Sequence, residues 1–204
     1  ILTAEAVSIC PQVGECYFLT LGKWDNYQTS RKGYNLVLHL NFSSKHDRPY
    51  QKLIRPEGPN LQCRAHPMDE NHHTLSWARI DIDMEDGEAL IEEIQTDWIK
   101  YALIDKSALE KCKTAEEARS YLRSIYGENA NNDPRRFLRY IREALQPHIR
   151  VWAEVTLAAA LWFLHEELGI RRIFYHTFET GNWLKGLRYG KPPRSLYTDL
   201  PKQF

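Results

Sequence analysis

The chain has 204 residues, with 27 Lys and Arg against 27 Asp and Glu and no formal net charge. That balance argues against a protein dominated by phosphate-backbone contacts, which needs a marked basic excess. No apolar run reaches the length of a membrane span, so no membrane partner is expected and a cytoplasmic location is. The length suits one α+β domain over residues 1–204, carrying a long loop at 43–73 and a helical insertion at 106–147. Cys10, Cys16, Cys63 and Cys112 are scattered, and none forms a Cys-x-x-Cys pair, so reduced structural thiols are expected.

Residues 1–16 offer little pattern. Cys16 to Leu21 reads as a strand on β-propensity. A polar loop with Trp24 and Tyr27 follows, to Gly33. From Tyr34 to Phe42 the side chains alternate. Leu36, Leu38, Leu40 and Phe42 make an apolar face, with Asn35, Val37, His39 and Asn41 on the other. Ser43 to His73 is rich in Pro, Asn, His and charge and reads as an Ω-type loop or a lid. Cys63, His66, His72 and His73 lie in it, where an ordinary polar loop is preferred to a metal site. Leu75 to Asp83 is a clear strand, with Ala78, Ile80 and Ile82 inward and Arg79, Asp81 and Asp83 outward. Met84 to Glu88 then turns a hairpin.

The next stretch, Ala89 to Trp98, is the odd one. Read as a strand, it puts Ile91, Glu93, Gln95 and Asp97 on one face and Leu90, Glu92, Ile94, Thr96 and Trp98 on the other. Carboxylates are costly to bury unless paired, so the Glu93, Gln95, Asp97 row marks a cleft, a polar network or a solvent edge. Lys106 to Tyr126 reads as helix, with Thr114 and Glu117 in a capping-box arrangement. Asp133 caps a second helix that has Pro134 at its first position. Val151 to Leu168 is apolar nearly all round, as in a buried helix. Its Glu154 either meets the helix dipole or enters the Glu93 cleft. Gly169 stops the helix and Ile170 to Phe178 reads as a strand. That strand runs into His176, Thr177, Glu179 and Gly181, and ligand sites gather at such strand ends. The tail beyond Arg171 is locally basic. Arg171, Arg172, Arg188 and Arg194 are its candidate anion-binding groups.

Two resemblances attach to these residues. Ile91 to Trp98, Ile-Glu-Glu-Ile-Gln-Thr-Asp-Trp, resembles the Glu-Glu-Ile-Gln-Ser-Asp-Trp motif of an uncharacterised domain in phage and mobile-element polyvalent proteins. Thr96 stands where that motif has Ser. The order of elements is also similar to the GCN5-related N-acetyltransferase fold. That order is antiparallel strands, a central strand bearing a glutamate, a helix ending in Gly, a strand and a late Tyr. The likeness implies Glu93 as general base and Tyr197 as general acid. It also implies acyl-CoA as cofactor, yet Ile99 to Leu109 has no glycine where such a fold cradles the pyrophosphate. The cofactor therefore stays open.

The expected fold is α+β, a central mixed but largely antiparallel sheet flanked by helices, with an acetyltransferase-like order of elements. Two functions stay open. The first is a transferase with Glu93, Asp97, His176 and Tyr197 as catalytic groups. Gln95, Glu154, Thr177 and Glu179 would then contact substrate, and no metal is expected. The second is a non-enzymatic binding module, in which the carboxylate row clamps Arg79, Arg171 or Arg172. Trp24, Tyr27, Trp183 and Tyr189 would then form a contact surface for protein or single-stranded nucleic acid.

Overall fold

The computed structural model describes residues 16–25, 29–58, 60–188 and 191–204. Tyr27 and Tyr189 of the expected contact surface lie outside them. Strands β1 (Tyr17–Trp24), β2 (Asn35–Phe42), β3 (Thr74–Asp83) and β4 (Glu88–Gln95) form an antiparallel meander. A helical crossover then brings β5 (Arg172–Tyr175) parallel to β4, giving the sheet order β1-β2-β3-β4-β5. The architecture is α+β, as the patterning of the sequence implies.

The apolar alternation sets which face is core. Leu38, Ala78, Ile80, Ala89, Ile91 and Ile94 pack on one face of the sheet. Against them lies α5 (Gln146–Trp162), through Leu157, Ala160 and the following Leu164. Ile91 and Ile94 belong to the same core although simple alternation would separate them. The reason is a bulge. Arg79 pairs with Glu93 and Ile80 with Ile91, so Glu92 is the extra residue on β4. A bulge of this kind breaks the period of two and re-aims the side chains beside it. The uninterrupted alternation expected from Ala89 to Trp98 is corrected on this point.

A second correction follows at the end of β4. Thr96 leaves the strand and caps α2 (Asp97–Lys111), its hydroxyl accepting from the Ile99 N–H. Asp97 and Trp98 are thus in the first turn of a helix and not on a strand face. The helix expected from Lys106 is two: α2, then α3 (Ala115–Tyr126), whose N-cap is Thr114 as the capping box implies. Asp133 and Pro134 open α4 (Pro134–Tyr140), which continues through a π-helical stretch, Ile141–Leu145, into α5. A second π-helical stretch, Phe163–Glu167, ends this rod, and Gly169 at φ +67° lets the chain turn away. From Val151 to Leu168 the rod is less buried than an all-round apolar helix implies, because more than half of its side chains there are only partly buried.

The segment expected as a loop at 43–73 begins with a helix, α1 (Ser44–Leu53), capped by Ser43. Its His46 and Tyr50 are buried against Trp98 and Tyr140. After β5 come α6 (Phe178–Leu184), the single-turn α7 (Ser195–Thr198) and a closing 3₁₀ turn, Leu200–Gln203. Among the described residues no helix is long and apolar enough to cross a membrane.

Candidate functional site

On the sheet face away from α5, two cross-strand rows hold polar side chains. One runs Thr20, His39, Trp77, Gln95 and the other Gly22, Val37, Arg79, Glu93. Arg79, expected to face out, is 1% exposed. A buried guanidinium requires a partner, and it donates from Nη2 to Glu93 Oε2 at 2.7 Å. Its guanidinium also lies 5.8 Å from the Trp24 ring centroid.

The second row continues into the place where β4 and β5 part. These parallel strands pair from Glu88–Arg172 to Ile91–Tyr175 and no further. At the parting sits the Glu92 bulge, and the wedge is filled with ionisable groups. Glu92 is fully buried. It accepts from the Ser30 N–H at 2.8 Å and from the Ser30 hydroxyl at 2.7 Å, and His176 Nε2 is 3.0 Å from its Oε2. Burial pushes the Glu92 carboxyl up. The bonds from His176 and Ser30 outweigh that and hold it below its ordinary range. An ionised carboxylate only accepts, so His176 carries its proton on Nε2 and shares it with Ser30 Oγ, 3.0 Å away.

Lys185, at the C-terminus of α6, enters the same wedge. Its ammonium donates to the Glu92 carbonyl at 2.6 Å and lies 3.5 Å from Glu93 Oε2. Burial lowers its pKa below the lysine range, Arg79 adds to this, and Glu93 opposes it. Tyr197 stands at the edge of the wedge. Its ring is 5.7 Å from that of Tyr175, and burial with the Glu93 charge raises its hydroxyl to about 12. Gly181 makes the approach of α6 close: a Cβ there would lie 3.1 Å from His176 Cβ and 3.4 Å from Tyr197 Cε1.

Gln95 and Asp97 belong to a neighbouring cluster. Asp97 is fully buried, and both its oxygens lie within 2.9 Å of His66 Nδ1. Gln95 Nε2 donates to Asp97 Oδ1 at 2.9 Å. The loop after α1 thus closes over the first polar row, and Asp69 accepts from the Thr20 hydroxyl farther along it. His66, His72 and His73 each bond a different carboxylate, namely Asp97, Asp69 and Asp47. Among the described residues no group of three or more His, Cys, Asp or Glu is placed to hold a metal.

Of the residues singled out from the sequence, the structure brings Glu93, His176 and Tyr197 together. It separates Asp97 from Glu93, because Asp97 starts a helix and faces His66. Glu154 is exposed in the body of α5 and does not enter the cleft. Thr177 caps α6 through its hydroxyl, and Glu179 is exposed and paired with Arg194 at 2.6 Å. Arg172 is held by Glu88 and the Asp86 carbonyl, and Arg188 is exposed. The four arginines therefore do not make one anion site. Sequence reasoning did not select Glu92, Ser30 or Lys185. For Glu92 the signal was present: it stands on the strand face otherwise occupied by Leu90 and Ile94. For Ser30 and Lys185 there was none, since only the fold brings them to β4.

A CoA pyrophosphate at the N-terminus of the helix following β4 is not accommodated. That end of α2 already holds the buried Asp97 carboxylate, under His66. Compared with known proteins, the chain matches no family model, no curated protein and no solved structure.

Proposed function

We propose that the chain is an acid–base enzyme of the group-transfer class, acting at the wedge between β4 and β5. One observation carries this reading. Where two parallel strands part at a bulge, the gap is filled by Glu92, Glu93, His176 and Lys185 rather than by apolar side chains. Perturbed ionisable groups gather at functional sites more often than elsewhere. His176, oriented by Glu92 and Ser30, is the base in this reading, since imidazole is the usual proton carrier of such sites. Glu93 is engaged by Arg79 and Lys185, so it serves as the counter-charge and not as the base. Tyr197, whose hydroxyl keeps its proton at neutral pH, is the acid that returns a proton to the leaving group in this reading. No step is derived through CoA, which the N-terminus of α2 does not fit.

The test uses an activated acyl ester, p-nitrophenyl butyrate, with amine and hydroxyl acceptors. His176→Gln, whose amide can still donate to Glu92, is expected to stay folded and to lose at least about 100-fold in transfer, the usual size of an acid–base contribution. Equal rates in the two proteins, or no transfer by either, sink the reading.

A second reading has its own support. The four ionisable groups that fill the wedge are closed off, from Glu92 at 0% to Glu93, His176 and Lys185 at 7% exposure. Such a network can be purely structural. Trp183, 79% exposed on α6, would then belong to the contact surface of a binding module. That reading expects His176→Gln and Glu93→Gln to lower the melting temperature and to change nothing else.

A further inference from the structure

A separate cavity of about 370 Å³ opens between α5, β5 and the closing 3₁₀ turn. Its walls are Leu157, Leu161, Trp162, Ile173 and Phe174, and Arg171 stands among them as the cationic group. His165 also lines it and is engaged by Glu166 at 2.8 Å. Arg171 differs from its neighbours in the tail. Arg172 and Arg194 are tied to Glu88 and Glu179, whereas the Arg171 guanidinium makes no ion pair among the described residues.

The volume is at the small end of ligand pockets, which run from roughly 300 to 1,000 Å³ and are mostly apolar with a few placed polar groups. A guanidinium is the side chain best matched to a carboxylate, which it can grip through two N–H donors. We propose that this cavity binds a monocarboxylate with an apolar body, such as a medium-chain fatty acid or an arylalkanoate. The apolar body lies between α5 and β5 and the carboxylate meets Arg171. A polyanion would leave the aliphatic walls unfilled, and a neutral hydrocarbon would leave Arg171 without its counter-charge. Binding at this cavity does not depend on the wedge chemistry. The two nevertheless adjoin, because Ile91 and Tyr175 line the cavity and form the last strand pair before the wedge.

The probes are decanoate, decanol and acetate, titrated into the purified protein below micellar concentration and followed by calorimetry and by amide NMR shifts. Decanoate is expected to bind saturably, one per chain, and acetate not to bind. Arg171→Gln, at an exposed position, is expected to weaken decanoate at least tenfold and to leave decanol unchanged. Leu161→Trp, which fills the cavity, is expected to abolish both. Decanoate binding that is absent, or equal in wild type and Arg171→Gln, overturns the proposal. So do shifts that map away from β5 and α5. Saturable decanoate binding in a protein inactive toward p-nitrophenyl butyrate would leave this site standing and remove the proposed function alone.

Discussion

Glu93 shows how far a single residue can be read. A carboxylate inside an aliphatic strand announces a buried partner, because an unpaired charge there is too costly. Which cation pairs with it is not written locally. Arg79 comes from the neighbouring strand and Lys185 from a helix beyond the crossover, and register decides both. The Glu92 bulge is equally silent in the sequence, since alternation assumes a strand without insertions. Removing one partner of a buried pair leaves the other uncompensated and typically costs about 3–5 kcal/mol. Lys185 stays beside Glu93 in Arg79→Met, so that variant should lower the urea-unfolding free energy by less than this. Glu93→Leu also removes the counter-charge of Lys185, so the double variant should lose less than the sum of the two single losses, a coupling that a double-mutant cycle measures. Full additivity would mean that the two side chains do not interact. Gly181 offers a milder probe. Ala is favoured over Gly inside a helix by up to about 1 kcal/mol, but its methyl group must displace His176 or Tyr197. Gly181→Ala should thus keep the melting temperature within a few degrees and still lower any activity that needs His176 in place.

At the level of elements, caps were legible and the β4–α2 junction was not. Thr114 with Glu117, and Asp133 with Pro134, are side-chain chemistry written next to the helix they start, so position in the sequence suffices. Thr96 makes the same kind of cap, but it follows an aliphatic strand without a break and reads as one more alternating residue. The α1 helix was hidden by Pro49 and by the polar composition around it. Its buried His46 and Tyr50 and the buried residue that caps it, Ile54, stand four apart, which was the available signal. Thr96 does two jobs. Its hydroxyl accepts from Ile99 N–H and donates to the Leu75 carbonyl at 2.6 Å, tying α2 to the start of β3. Thr96→Val keeps the shape and loses both bonds, so it should cost about 1–2 kcal/mol. Thr114→Ala, at an exposed cap with one such bond, should cost about 1 kcal/mol or less in the same urea titration. An equal cost for the two would show that the Leu75 bond adds nothing.

Across the whole molecule, sheet and helices meet in a cluster of rings that contains two buried histidines. Tyr17 and Phe42 come from β1 and β2, His46 from α1, Trp98 from α2, Tyr140 from α4 and His148 from α5. The Trp98 indole donates to the Tyr140 hydroxyl at 2.6 Å, which lies 3.0 Å from His46 Nε2, and Tyr17 bonds His148 Nδ1. His46 stacks on Phe42 with centroids 3.6 Å apart, and the two imidazoles are 5.3 Å apart. Burial lowers both pKa values, to about 2 for His46, where His148 and His73 add repulsion, and to about 4 for His148. Unfolding releases both rings into water, where they titrate near 6.5. Below that pH the unfolded chain binds more protons than the folded one, so stability falls as pH falls. The loss begins near pH 6.5. It runs at up to about 1.4 kcal/mol per pH unit for each histidine, and His148 ceases to add to it near pH 4. Glu92 and Asp69, held below their ordinary values, add stability that is lost as pH falls through the carboxylate range and below it, where His46 is still contributing, so only the interval above about pH 4.5 reports the histidines alone. His148→Gln removes one titrating ring and leaves a side chain able to accept from Tyr17. Urea-unfolding free energies measured between pH 6 and pH 4.5 should then fall less steeply in the variant, by about 1.4 kcal/mol per unit. If the two proteins lose stability in parallel, His148 takes up its proton without unfolding, and the ring cluster is open to water where this structure closes it.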